Sequence, residues 1–321
     1  MKNFWQEIKK PIIALAPMAG VTDFAFRKIC EEFGADVLYS EMASVTALSY
    51  QPSQTLKMLG SKGGKNPYVV QLFGSNSEHF VKAVKIIEKE IKPDGIDINF
   101  GCPAPKVMKT NSGAELMKNL DLSYEIIKKT IQGTNLPVSI KVRIKSGDIY
   151  IDDFVKKIKD LNVKAIMIHG RTLSQGFSGE INTQIIRDIK KKFNGIVLAN
   201  GGIKNKFDAE NILQETGADG VGIARGCMGN PWLFSEIKNT ECPDGKNISK
   251  AIEQVFYTAT KHAELAYKEK GSSGILEMRK HLCWYVQGLK NAKRLREKLV
   301  KVETMEDIKN ILSNKGIDND N

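Results

Sequence analysis

The stretch IDINFGCPAPKV, residues 96–107, decides how the chain is read. Ile96-Asp97-Ile98 has the character of a buried strand, and the run stops abruptly in Asn99-Phe100-Gly101-Cys102-Pro103. Packing needs no thiol at the mouth of such a strand, whereas a reaction can use one as a nucleophile or a proton donor. The same grammar recurs from residue 11 to about 235: a short apolar run, a loop of Gly, Asn, Pro or a polar group, then an amphipathic segment. The runs are Ile12–Ala16, Val37–Ser40, Tyr68–Phe73, Gly95–Asn99, Val138–Val142, Ala165–His169, Gly195–Ala199 and Gly220–Ala224, eight in all. They are continuous rather than alternating, as parallel strands covered on both faces require. Glu78 to Glu90 carries Phe80, Val81, Val84 and Ile87 at helical spacing, and Phe154, Ile158 and Leu161 repeat it, as do Ala209, Ile212 and Leu213. Eight such units predict an α/β fold, a (β/α)8 TIM barrel. A doubly wound sheet would place a phosphate loop after its first strand, and APMAGVTD is not G-x-G-x-x-G.

The pattern changes after KNTECPDGKNIS, residues 238–249, a polar Pro- and Gly-bearing stretch that reads as a linker. Ile252, Val255, Phe256, Ala259 and Ala263 form one helical stripe, and Leu282, Tyr285, Val286 and Leu289 a second. No strand signal follows residue 249, so a small all-helical domain of three or four helices is expected, with GIDNDN frayed at its end. The division is 1–240 for the barrel and 241–321 for the helical domain.

The chain has 321 residues, 41% of them hydrophobic, enough for a full core. Mean hydropathy is −0.28, and no apolar run is long enough to cross a bilayer. The N-terminus lacks the apolar core of a secretory signal. Five scattered cysteines without C-x-x-C spacing make neither a disulfide framework nor a zinc site, so no metal and a cytoplasmic setting are expected. Net charge is +11 and the isoelectric point about 9.2. Such a balance points to a polyanion, RNA or DNA before membrane, with lysine-rich usage as the plain alternative.

On this fold, chemistry collects at the C-terminal ends of the strands. Those ends are Pro17-Met18-Ala19, Glu41, Gln71, Asn99 with Cys102, Lys141 with Arg143, His169 with Arg171, Asn200-Gly201-Gly202, and Arg225-Gly226. Gly-rich turns after strands seven and eight, with Arg225 as a cation, suit a phosphate, the plainer alternative being simple tight turns. Lys141 in a barrel mouth needs an anion or an electron-rich ring, or else pairs with a neighbouring carboxylate. His169 is a candidate group or a satisfied structural one. The Gln71 amide can donate and accept, as recognition of a flat heterocycle demands, and Asn99 is comparable. No activating histidine sits beside Cys102 in sequence, so proton donation to a bound ring and covalent chemistry both stay open.

At this point APMAGVTDFAFR, VQLFG, INFGCPAPKV, SIKVR, IHGRT, ANGGI and ARGCMGNPW, in this order and spacing, resemble the tRNA-dihydrouridine synthases, with the bacterial B-type branch nearest. MRKHLCWYVQGL resembles that branch's helical domain, and the match covers roughly residues 11–300. The resemblance implies a barrel that binds FMN, NADPH or NADH as reductant, and a helical domain that helps hold tRNA. It implies hydride addition at C6 of a uracil and protonation at C5 by Cys102. By the same resemblance Pro17, Met18 and Ala19 line the flavin, Gln71 and Lys141 contact its ring, and Asn200, Gly201, Gly202, Ala224 and Arg225 hold its ribityl phosphate. Asn99, His169, Arg143 and Arg171 would lie near uracil or flavin. Two departures stand out: Gly202 replaces a frequent Asp, and Ala224 a frequent Gly. The first leaves position 202 only a backbone role.

Between Met278 and Lys301 lie Arg279, Lys280, Lys290, Lys293, Arg294, Arg296, Lys298 and Lys301 against the single acid Glu297. This stripe suits tRNA phosphates, while Trp284 and Tyr285 beside it fit a core position better than a stacking one. Two other readings compete: an FMN-dependent reductase of a free pyrimidine or other small enone, like the dihydroorotate dehydrogenases, and an RNA-binding or chaperone protein with a vestigial barrel. The basic helical extension argues against the first, and Cys102, Lys141 and Gln71 against the second. A monomer is expected, because tRNA must reach both domains.

Overall fold

A computed structural model describes residues 3–239 and 252–313. Eight parallel strands form the barrel: β1 Ile12–Leu15, β2 Val37–Ser44, β3 Tyr68–Phe73, β4 Gly95–Phe100, β5 Val138–Ser146, β6 Ala165–Thr172, β7 Ile196–Asn200 and β8 Gly220–Ile223. Their order is β4-β3-β2-β1-β8-β7-β6-β5, and pairing of β4 with β5 closes the ring. Register runs from Ile12 opposite Gly220 to Phe100 opposite Val142. A two-residue strand, Ile149–Tyr150, folds back antiparallel on the end of β5.

Alternation along each strand sorts two cores. Ile12, Ala14, Ala16, Val37, Tyr39, Val69, Ala165, Met167 and Leu198 fill the barrel interior above Trp5 of a short N-terminal turn. Ile13, Leu15, Leu38, Val70, Ile98 and Ile140 face outward against the helices. Burying each such aliphatic chain contributes about 1.5–3 kcal/mol, which is why both faces of these strands read as apolar in sequence. The inner wall changes character at β3–β5, where Gln71, Asp97 and Ser139 are buried polar residues.

Helix Phe24–Glu32 starts at Asp23, whose carboxylate caps the Phe26 N–H at 2.9 Å. Helix Ser77–Glu90 starts at Asn76 in the same way. Several element ends differ from expectation, β5 and β6 also running on past Val142 and His169. The helix after β5 spans only Ile151–Lys157; Ile158 caps it and Leu161 lies in the turn beyond. Strand β2 runs past Ser40 to Ser44, with a register shift between Tyr39 and Met42.

Beyond the barrel are helices Ile252–Lys270, Ser272–Tyr285, Ala292–Leu299 and Met305–Leu312. The first packs on Phe24–Glu32, the helix that follows β1. Lys270 ties it down through Asp23 at 2.8 Å and Glu277 at 2.6 Å. Tyr285 is buried against Trp232 and His262, while Trp284 is half-buried on His281. Most of the 238–249 linker, the 240/241 division and the GIDNDN tail lie outside the described residues. Among the described residues no helix is long and apolar enough to cross a membrane, and no group of three or more His, Cys, Asp or Glu could hold a metal.

Candidate active site

A cavity of about 900 Å³ opens at the C-terminal mouth of the barrel. Each barrel residue singled out from sequence as a catalytic, cofactor or substrate group lines it: Pro17, Met18, Ala19, Gln71, Asn99, Cys102, Lys141, Arg143, His169, Arg171, Asn200, Gly201, Gly202, Ala224 and Arg225. Glu41, expected on the rim, does not. The register shift in β2 turns Met42 to the cavity instead, and the Glu41 carboxylate takes the Gly20 N–H under the β1 loop.

A hydrogen-bond relay crosses the polar wall. Ser139 Oγ donates to Asp97 Oδ1 at 2.7 Å, and Gln71 Nε2 donates to Asp97 Oδ2 at 2.7 Å. Asn99 Nδ2 donates to Gln71 Oε1 at 2.8 Å. Asn99 Oδ1 then accepts the backbone N–H groups of Gly101 at 3.0 Å and Cys102 at 2.9 Å. The far side of the Cys102 loop is closed by Ala114 N–H on Cys102 O at 3.0 Å. The thiol therefore sits half-exposed on a loop held from both sides.

The electrostatics are dominated by cations. Burial pushes the Asp97 carboxyl up to about 6, opposed by the Gln71 and Ser139 bonds and by Lys141. Burial and Arg143 pull Lys141 down to about 8, opposed by Asp97 and Cys102. Burial, Lys141, Arg143, Arg171 and Arg225 depress His169 to about 2, so the imidazole is neutral at physiological pH. Arg171 Nη1 lies 3.4 Å from its Nε2.

At the other side of the mouth the β7 and β8 loops meet. A Cβ on Gly226 would fall 2.1 Å from Ile203 O, so only glycine allows this approach. Gly202 has φ +76, a left-handed conformation in which a side chain is strained. Asn200 Nδ2 is pinned to Gly222 O at 2.7 Å.

Three features of the site were not singled out from sequence: Asp97, fully buried behind the wall, and Met42 and Phe177, which line the cavity. Asp97 hides as one polar letter inside an apolar run. Met42 depends on the β2 register shift. Phe177, 56% exposed, sits in QGFSG with the Arg225 guanidinium 4.5 Å over its ring. Arg143 holds that loop: its Nη1 donates to Thr172 O and Gly176 O at 3.0 Å, and its Nε to Gly101 O at 2.8 Å. Arg171 Nε adds Gly179 O at 2.8 Å.

The basic residues of the helical region are largely outward. Lys280, Lys290, Lys293, Arg294 and Arg296 are exposed, whereas Arg279 is half-buried with its Nε on Val302 O at 2.9 Å. Lys280 returns to the cavity rim: a Cβ on Gly20 would meet its Nζ at 3.5 Å.

A closed (β/α)8 barrel with a cation-rich, glycine-edged mouth defines the class. Solved structures share this fold at low identity. The crystal structure of TcOYE with pHBA aligns at TM-score 0.52 and 12% identity, over 73% of this chain and 91% of that one. Histamine dehydrogenase from Rhizobium sp. 4-9 aligns at TM-score 0.55 and 12% identity, over 79% and 49%. The sequence profile of the family Dihydrouridine synthase (Dus) matches residues 14–319. A probable tRNA-dihydrouridine synthase of Rickettsia conorii is 35% identical over 288 residues, 88% of this chain and 87% of its own. That of Aquifex aeolicus is 30% identical over 303 residues, 94% of each. tRNA-dihydrouridine synthase B of Pasteurella multocida is 32% identical over 280 residues, 86% and 84%. The chain belongs to the dihydrouridine synthase family.

Proposed function

We propose that the protein reduces the C5–C6 double bond of uridines in tRNA, using FMN in the barrel mouth and NADPH or NADH as reductant. The observation that carries this reading is the relay from Asp97 through Gln71 and Asn99 to the Cys102 loop, inside a cavity edged by Gly201, Gly202 and Gly226. The residues present suit a flavin nucleotide. The volume is in the range of cofactor sites, the cavity runs along Gly201, Gly202 and Gly226 beside Arg225, where a phosphate can meet backbone N–H groups and a cation, and the Gln71–Lys141 wall offers donors to a ring.

Bound there, a reduced flavin supplies the hydride that adds to C6 of the uracil. The chain's own groups do the rest. Negative charge then grows on the C4 oxygen and C5 of the uracil, where a cationic surround of Lys141, Arg143 and Arg171 lowers its energy. The Cys102 thiol gives its proton to C5, and solvent reprotonates the thiolate. His169, kept neutral, positions a ring through a hydrogen bond rather than adding charge. The target base must leave the tRNA stack to enter so deep a mouth. The exposed lysines and arginines of residues 280–296 contact the phosphate backbone. Their presence, and relatives named for tRNA along most of the chain, favour tRNA over a free pyrimidine or another small enone. The protein acts as a cytoplasmic monomer, with residues 1–240 as the catalytic unit and 241–321 as the tRNA-holding unit.

The test is anaerobic absorbance. Flavin bands bleached by NADPH return on adding unmodified tRNA transcript and not on adding free uridine. Return with free uridine alone, or no flavin even after FMN is supplied, overturns the reading.

A further inference from the structure

A second groove, of about 950 Å³, lies outside the barrel mouth between the β5 hairpin and the β6 loop. Lys118, Lys145 and Tyr150 line it, with Thr172, Gln175 and Asn182 among its polar groups and Glu180 as a carboxylate. Tyr150 is 48% exposed, a large ring left on the surface. Lys145 Nζ stands 4.2 Å from its ring centroid and 2.9 Å from its hydroxyl. Lys118 crosses the turn at Gly147, where a Cβ would meet its Cε at 3.2 Å, and bridges Glu115 at 2.8 Å. Among the described residues no carboxylate lies within ion-pair distance of Lys145.

One loop separates this groove from the active-site cavity. Phe177, Ser178 and Gly179 face the cavity, while Thr172 to Gln175 and Glu180 to Asn182 face the groove. Arg143 and Lys145 hold it from beneath, the latter through Leu173 N–H on Lys145 O at 2.9 Å. The barrel order puts β5 four strands from β1 in either direction. The helical region meets the loop after β1, through Lys270 on Asp23 and Lys280 beside Gly20, so the groove lies across the mouth from the basic stripe.

Resting on the reading of tRNA as substrate, we propose that this groove binds a nucleotide of the same RNA strand next to the one turned into the cavity. Its base stacks on Tyr150 and its phosphate meets Lys145 and Lys118. An exposed ring beside two ammonium groups is the combination that holds single-stranded nucleic acid. The strand is then gripped on both sides of the reacting base, which keeps that base turned out.

The test measures binding of unmodified tRNA transcript to the full FMN-loaded protein. Tyr150→Ala is expected to weaken it about ten-fold, and Tyr150→Phe to restore most of the loss, since stacking needs the ring alone. Lys118→Ala with Lys145→Ala should lower the salt dependence of binding by about one to two counterion contacts. Unchanged affinity in Tyr150→Ala and in the double variant, with wild type still reducing tRNA, overturns the groove and leaves the function standing. A loss that falls instead on the NADPH concentration needed for bleaching assigns the groove to the dinucleotide and also overturns it. Failure of wild type to reduce tRNA removes both readings together.

Discussion

Asn99 Oδ1 accepts the backbone N–H of Cys102 at 2.9 Å, so a strand residue sets the position of a loop thiol. The same oxygen holds Gly101 N–H, and the same amide reaches Gln71. Asn99→Ala leaves those N–H groups without their partner, at a cost of about 1–3 kcal/mol. We expect slower reoxidation of reduced flavin by tRNA, with FMN affinity changed far less. Equal losses in both would assign Asn99 to the flavin alone.

Cys102→Ala removes the proposed acid and little else. Flavin content, bleaching by NADPH and tRNA binding should be retained, while single-turnover reoxidation by tRNA drops about a hundred- to ten-thousand-fold. Wild-type reoxidation in this variant would end the role of Cys102.

Much of this arrangement was legible beforehand, and the reasons are physical. Parallel strands buried on two faces leave continuous apolar runs, so all eight strands could be placed from sequence. The barrel rule then converts strand ends into one rim, which is how residues as distant as Pro17 and Arg225 come to line one cavity. What escaped depends on local geometry without a periodic trace. Asp97 in Ile96-Asp97-Ile98 fits a strand whether its side chain faces in or out. Glu41 and Met42 exchange places because β2 shifts register. Phe177 reaches the cavity because Arg143 and Arg171 bind carbonyls of its loop, a long-range effect.

Lys141 ties pH to rate and to stability in opposite directions. Its folded-state value of about 8 lies below the ordinary 10.5, so the cation is present at pH 7 and lost as pH rises through about 8. Activity should fall on that limb. The folded state binds fewer protons than the unfolded between those two values, so this group's unfavourable contribution is full below about 8 and is relieved above it. Asp97→Asn removes the anion that supports the charge and should move the alkaline limb to lower pH. A limb that stays in place in Asp97→Asn would disconnect the two groups.

The Arg143 guanidinium holds the Phe177 loop with donors in a fixed fork. Arg143→Lys keeps the charge and loses the fork. The expected result is a higher KM for tRNA and faster proteolytic nicking within residues 172–182, with flavin retained. Nicking at the wild-type rate would place the loop's order elsewhere.

Exposed lysines of the helical region should read out as counterion release. Lys290→Ala with Lys293→Ala is expected to weaken tRNA binding and to flatten its dependence on log salt by about 0.7–0.9 per lost phosphate contact. A parallel, undiminished slope would mean that these side chains do not meet phosphate.

The most direct measurement is the dihydrouridine content of an unmodified tRNA transcript after incubation with the purified protein, FMN and NADPH. Dihydrouridine should appear at defined positions, and its formation should collapse in Cys102→Ala. Flavin-loaded protein that oxidises NADPH and reduces a free enone, yet leaves every uridine in the transcript intact, would contradict it.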